Sequence, residues 1–100
     1  MADDAKCRVI LTLALESSHW RRHDRAFWAQ TLAEAANAAA PNLARVEDYE
    51  LRDTLMIVRM RSRRPVKAMR KLWEEHEGFM RLRSRLADLG ARPEFEVEEC

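Results

Sequence analysis

Cys7-Arg8-Val9-Ile10-Leu11-Thr12-Leu13-Ala14-Leu15-Glu16 is the stretch that decides the fold of this chain. Its odd positions, Cys7, Val9, Leu11, Leu13 and Leu15, are all apolar. Its even positions, Arg8, Ile10, Thr12, Ala14 and Glu16, are mixed. A period of two marks a strand with one face buried and the other partly wet. No other stretch is so cleanly two-faced, which makes this a central strand.

Downstream, Ser17 and Ser18 are natural helix caps. The spacing of Trp20, Phe27, Leu32, Ala35 and Ala39, with Trp28 and Thr31 alongside, predicts a helix over 19–40. Pro41-Asn42 stops it. Residues 43–51 alternate poorly, because Asp48 and Glu50 share parity with Val46 while Tyr49 and Leu51 take the other. A bulge reconciles the two, and an edge strand tolerates one. Arg52-Asp53 is the next turn; without glycine, it is expected to be longer than two residues. Residues 54–63 form a strand with Met56, Val58 and Met60 on one side. Leu55, Ile57, Arg59 and Arg61 take the other.

Pro65 opens the second helix, with Ser62 or a neighbour as its cap. Met69, Leu72, His76, Phe79, Leu82, Leu86 and Leu89 form its apolar stripe. Gly78 is a candidate kink and Gly90 a C-terminal stop. In 93–99, Phe95 and Val97 alternate with Glu94, Glu96 and Glu98. The order is β-α-β-β-α-β. Two right-handed crossovers then interleave into an antiparallel sheet of order 4-1-3-2, with both helices on one face. This is the ferredoxin-like plait, of the α+β class.

A length of 100 residues makes one domain, 1–100, with 1–6 as a flexible N-terminus. The net charge is +1, so no overall field drives the chain onto nucleic acid or membrane. Fifteen arginines against three lysines favour carboxylate and phosphate recognition, although a GC-rich genome produces the same bias. The first residues lack the form of a signal peptide, and no apolar run approaches a membrane span. The chain therefore reads as cytoplasmic, with reduced thiols. Cys7 and Cys100 lie near each other in this topology but on opposite parities, so no disulfide is expected.

The open sheet face would carry Arg8, Ile10, Thr12, Ala14, Leu55, Ile57, Arg59, Arg61, Glu94, Glu96 and Glu98. An apolar strip of Ile10, Ala14, Leu55 and Ile57 among charges suits a contact surface. Arg59 and Arg61 can reach Glu47. Arginine gathers at two poles. Arg21, Arg22 and Arg25 begin the first helix, near Arg81, Arg83 and Arg85 at the end of the second. Arg61, Arg63, Arg64, Lys67 and Arg70 surround the second helix's start. Cations there oppose the helix dipole, which points to an anionic partner. His19 and His23 share a helix face but make an incomplete metal site, and His76 lies on the core stripe. No catalytic constellation, metal set or cofactor motif is found. The aromatic RNP pattern of RNA-binding plaits is absent from the central strands.

The run 57–79, a strand followed by Ser62, Pro65, Ala68, Trp73, His76 and Phe79, resembles the second half of dimeric α/β-barrel proteins. That family includes small monooxygenases and isomerases that pair two plaits sheet to sheet around a pocket. The leading expectation is a non-enzymatic protein-binding module, a small homodimer or an adaptor or subunit of a larger assembly. It would dock through Arg8, Ile10, Thr12, Tyr49, Ile57, Arg59 and Arg61. Arg21, Arg22, Arg25, Arg63, Arg64, Lys67, Arg81 and Arg85 would take an anionic partner. The alternatives are a small dimeric α/β-barrel enzyme with a pocket over Ile10, Thr12, Ile57 and Tyr49, and a nucleic-acid binder using the arginines.

Overall fold

The computed structural model describes residues 5–15 and 25–100, the side chains of Arg25 and Trp28 excepted. The described elements are β1 (Cys7–Leu15), α1 (Arg25–Ala39), β2 (Ala44–Arg52), β3 (Leu55–Ser62), α2 (Val66–Glu75), α3 (Glu77–Asp88) and β4 (Ala91–Glu99). The four strands form one sheet in the order β2-β3-β1-β4, and every pairing is antiparallel. This is the ferredoxin-like plait, with β1 in the interior of the sheet. Cys7, Val9, Leu11 and Leu13 are fully buried beneath the helices. Met56, Val58 and Met60 lie beside them on β3, and Val97 on β4. Burying each large side chain contributes about 1.5–3 kcal/mol. No helix among the described residues is long and apolar enough to cross a membrane.

The bulge falls where the parity conflict required it, between Val46 and Asp48. Before the shift Val46 pairs with Met60; after it Tyr49 pairs with Val58. The Val46 N–H donates to Asn37 Oδ1 of α1 at 3.0 Å. The β2–β3 turn is shorter than expected. Arg52 pairs with Leu55, which leaves a two-residue loop. Asp53 adopts φ 52°, a left-handed conformation that Asp tolerates better than most residues. Ser62 caps no helix. Its hydroxyl donates to Leu43 O at 2.6 Å and accepts the Arg64 N–H at 3.0 Å, so it ties the end of β3 to the start of β2. Pro65 is itself the N-cap of α2, without a side-chain cap bond.

Two further expectations are corrected in the helices. Phe27 is 61% exposed; the buried stripe of α1 is Ala29, Leu32, Ala33 and Ala36, continued by Ala40. Four alanines along that stripe let the helix lie close to the layer below. The second helix does not kink at Gly78. It stops and restarts at His76, whose backbone is extended at φ −70° and ψ 130°. The His76 N–H closes α2 on Leu72 O, and its Nδ1 caps α3 by accepting the Gly78 N–H at 3.1 Å. Gly78 serves a different purpose. A Cβ there would lie 1.9 Å from the carbonyl oxygen of Ala39, so only a residue without one lets α3 meet the end of α1.

Gly78→Ala is therefore expected to destabilise the protein although alanine is the better helix former. Forcing two backbones apart should cost about 2 kcal/mol net. That lowers the melting temperature by roughly 10 °C, which thermal unfolding followed by circular dichroism would measure.

Candidate functional site

Chemistry-bearing side chains collect at three places. The first lies where α2, α3 and β4 meet. The break at His76 turns the chain so that Trp73 and Phe79 face the same space. Trp73 stacks parallel on Phe95 of β4, with centroids 4.6 Å apart and planes 5° from parallel. Phe79 tilts against Trp73 at 5.6 Å, and His76 meets Phe79 edge-on at 5.5 Å. The Arg83 guanidinium carbon sits 5.3 Å from the Trp73 ring centre, a cation–π contact. Phe79 is fully buried, whereas Trp73, His76, Arg83 and Phe95 are half-buried. Because His76 Nδ1 accepts a backbone N–H, its proton resides on Nε2, which can donate. The cluster thus gathers a stacked aromatic pair, a cation and an imidazole donor. Sequence reasoning placed Trp73, His76 and Phe79 in one run but could not see Phe95 and Arg83 arrive beside them.

The second place is the open sheet face. Cross-strand register sets it out in rows. Arg45, Arg61, Arg8 and Glu98 form one row, and Asp48, Arg59, Ile10 and Glu96 the next. Glu50, Ile57, Thr12 and Glu94 follow, and then Arg52, Leu55, Ala14 and Arg92. Arg59 donates to Asp48 Oδ1 and Glu50 Oε1, both at 2.9 Å, rather than to Glu47. Those bonds, Asp48 first, hold its guanidinium charged even more firmly than in water. Arg61 Nε donates to Glu47 Oε2 at 2.8 Å, as expected. Ile10, Thr12 and Ile57 do share this face. Tyr49 does not. The bulge gives it the parity of Val58, so it lies on the helix side of the edge strand and cannot complete a pocket over Ile57.

The third place is a groove of about 390 Å³ between α1 and α3, floored by Ala35, Ala38, Ala39 and Leu82 and edged by Arg81 and Arg85. Arg81 is paired with Glu77 one turn earlier. Arg83, expected in the same basic pole, turns inward to Trp73 and donates to Glu74 O at 3.1 Å. Arg63, Arg64 and Lys67 are exposed near the start of α2. Arg21, Arg22, His19 and His23, and the Arg25 side chain, lie outside the described residues. Among the described residues no group of three or more His, Cys, Asp or Glu side chains is arranged to hold a metal ion.

No protein-family model and no curated protein matches this sequence. A solved structure does share its fold: a proposed antibiotic biosynthesis monooxygenase from Deinococcus radiodurans, with a TM-score of 0.61 and 14% identity over 94% of this chain and 91% of that one. At that identity the likeness carries the fold. It corrects the expectation of a non-enzymatic binding module, because that protein, matched over nearly the whole of its length, bears the name of an enzyme.

One titratable group in the core gives a pH signature. Burial pushes the Cys7 thiol above its usual range, the nearby Cys100 adds to the rise, and a hydrogen bond with Ser62 partly opposes it. A raised folded-state value stabilises the fold fully below the unfolded value, near 8.5, and that contribution is lost as pH climbs towards the folded value. Wild type should therefore lose its stability advantage over Cys7→Ala as pH rises above about 8.5, read from urea midpoints. In the same protein, exposed Cys100 should label with a thiol reagent at least about a hundredfold faster than buried Cys7.

Proposed function

We propose that this chain is a small monooxygenase of the dimeric α/β-barrel kind, acting on a flat aromatic substrate. The observation that carries the reading is the shared architecture along nearly the whole of both chains. The cluster around Trp73 supports the substrate class. Phe95 stacks on Trp73 and the Arg83 guanidinium lies over the indole; a substrate ring that took the place of that guanidinium would stack on Trp73, and offset stacking is worth about 0.5–1.5 kcal/mol beyond the area buried. The His76 Nε2–H is a donor suited to a phenolic or quinone oxygen at the rim of such a substrate.

The paired state fits the open sheet face. Ile10, Ala14, Leu55 and Ile57 would otherwise stay in contact with water, and Leu55 is 39% exposed. Pairing two sheets would cover them. Arg59, held by Asp48 and Glu50, carries its charge into such a contact already neutralised. That lowers the cost of removing it from water.

When a phenol with a free ring position becomes a quinone, one atom of dioxygen enters the product and the other leaves as water; the two hydrogens and two electrons that make the water come from the phenol, so no external reductant is needed. Purified protein supplied with oxygen-18 gas and a panel of polycyclic phenols should yield products carrying a single labelled oxygen. Mass spectrometry would detect it, with dioxygen uptake dependent on the protein. Trp73→Ala, checked for folding, should lower kcat/KM at least about tenfold, with Trp73→Phe intermediate. If no phenol in the panel is either bound or oxidised by folded protein, the enzymatic reading fails. If Trp73→Ala keeps full activity, the site has been misplaced.

A further inference from the structure

The two helices that share the joint at His76 are charged in opposite senses. In α3, Glu77 stands in the first turn and Arg85 in the last, and Glu77 pairs with Arg81 one turn on. That order suits the helix dipole. In α2 no acid stands in the first turn and no base in the last. Lys67, Arg70 and Lys71 occupy its first two turns, and Glu74 and Glu75 close it. Cations at that end oppose the dipole. Arg70 with Glu74 and Lys71 with Glu75 stand one turn apart in the less favourable direction, and neither pair closes as an ion pair.

Arg63 and Arg64, in the bend ahead of α2, extend the same run. No acid occurs from 63 to 73, and Arg63, Arg64, Lys67, Arg70 and Lys71 are all exposed. Among the described residues none of these five side chains makes an ion pair or a hydrogen bond. Elsewhere the fold engages its cations: Arg59 with Asp48 and Glu50, Arg81 with Glu77, Arg83 with the Trp73 ring. Met69 is fully buried on the inner side of α2, so 67, 70 and 71 lie together on its outer side, and 74 continues that line.

The basic strip is narrow. Glu74 and Glu75 end it, and on the β4 flank Arg70 shares a hollow of about 320 Å³ with Glu96 and Glu98. A broad anionic layer such as lipid headgroups, laid on α2, would meet those four carboxylates together with the five cations. A single line of phosphates fits within the strip and avoids them. Three of the five cations are arginines, whose forks match phosphate oxygens. Trp73, the aromatic on this helix, is already engaged by Phe95 and Arg83, so the strip offers no platform for stacking bases. We infer that the outer side of α2, with Arg63 and Arg64, is a docking surface for one phosphate backbone of a nucleic acid, held by charge and without regard to base sequence. The net charge of +1 does not oppose this, because the field of the strip acts over about one Debye length. The strip takes no part in the Trp73 cluster, so this inference and the monooxygenase reading stand or fall separately.

The test is fluorescence anisotropy of a short, labelled, random-sequence DNA duplex titrated with the full chain at several sodium chloride concentrations. Four or five phosphate contacts predict a slope of log K against log salt of about −4, and a loss of affinity of at least about a hundredfold between about 50 and 200 mM. Lys67→Gln combined with Lys71→Gln should weaken binding at least about tenfold at the lower salt and make the slope shallower by about 2. That protein should melt no lower than wild type, because it has lost cations that oppose the dipole. Arg85→Gln, on α3, should bind as wild type does. No binding at the lower salt, or a slope that the two glutamines leave unchanged, would overturn the inference. So would polyglutamate or phosphatidylserine vesicles binding as tightly as the duplex at equal concentration of charge.

Discussion

The double pairing of β1 is the constraint on which the rest of this structure depends. Positions 7–14 are matched antiparallel to β3 on one side and to β4 on the other. A slip of one residue against either neighbour would break the alignment of Val9, Leu11 and Leu13 with Met60, Val58 and Met56, or with Val97 and Phe95. It would set Arg61 or Glu98 beneath the helices instead. Placing an unpaired charge in that layer costs far more than one aliphatic side chain gains there. Both registers are therefore set by the same dry face. The open face has no freedom of its own: its rows of charge follow from the core behind it.

The joint at His76 does for the helices what β1 does for the strands. An extended residue between α2 and α3 frees backbone groups that a continuous helix would have satisfied internally. His76 compensates for part of that loss with its own N–H at the end of α2 and with Nδ1 at the start of α3. The turn lets Gly78 reach the Ala39 carbonyl and swings Arg83 over Trp73. A plait is a scaffold shared by many unrelated activities, so function has to be sought in such local departures from it. Here the joint is what gathers an indole, an imidazole and a guanidinium into one neighbourhood.

What could be read from the sequence, and what could not, divides along physical lines. The alternation of 7–15 and the parity conflict across 43–51 are strand signals with a period of two, and they led to the sheet order and to the bulge. Tyr49 nevertheless lies on the side opposite to the expected one, because at an edge strand both faces hold exposed residues and composition does not separate them. The two-residue turn escaped because Asp53 takes the left-handed region that glycine usually supplies. The break at His76 escaped because a histidine cap leaves no periodic trace, while the apolar stripe runs on through it. Phe27 departs from expectation for the opposite reason. Its size suggested burial, yet the layer beneath α1 leaves room mainly for alanines. The meeting of Trp73 with Phe95 is a contact between distant segments, and no spacing rule reports one.

Two arginines on the same face show how differently the fold treats the same side chain. Arg59 is clasped by Asp48 and Glu50, and its charge is resolved within the sheet. Arg8, on the adjacent strand and one row away, keeps a buried Nε without an acceptor, although Glu98 stands across from it. Core packing explains why each must project onto the open face, since Val9 and Val58 occupy the positions beneath. It does not explain why position 8 should be arginine at all. A shorter polar residue would satisfy the alternation and remove the repulsion with Arg61. Stability alone therefore favours losing Arg8.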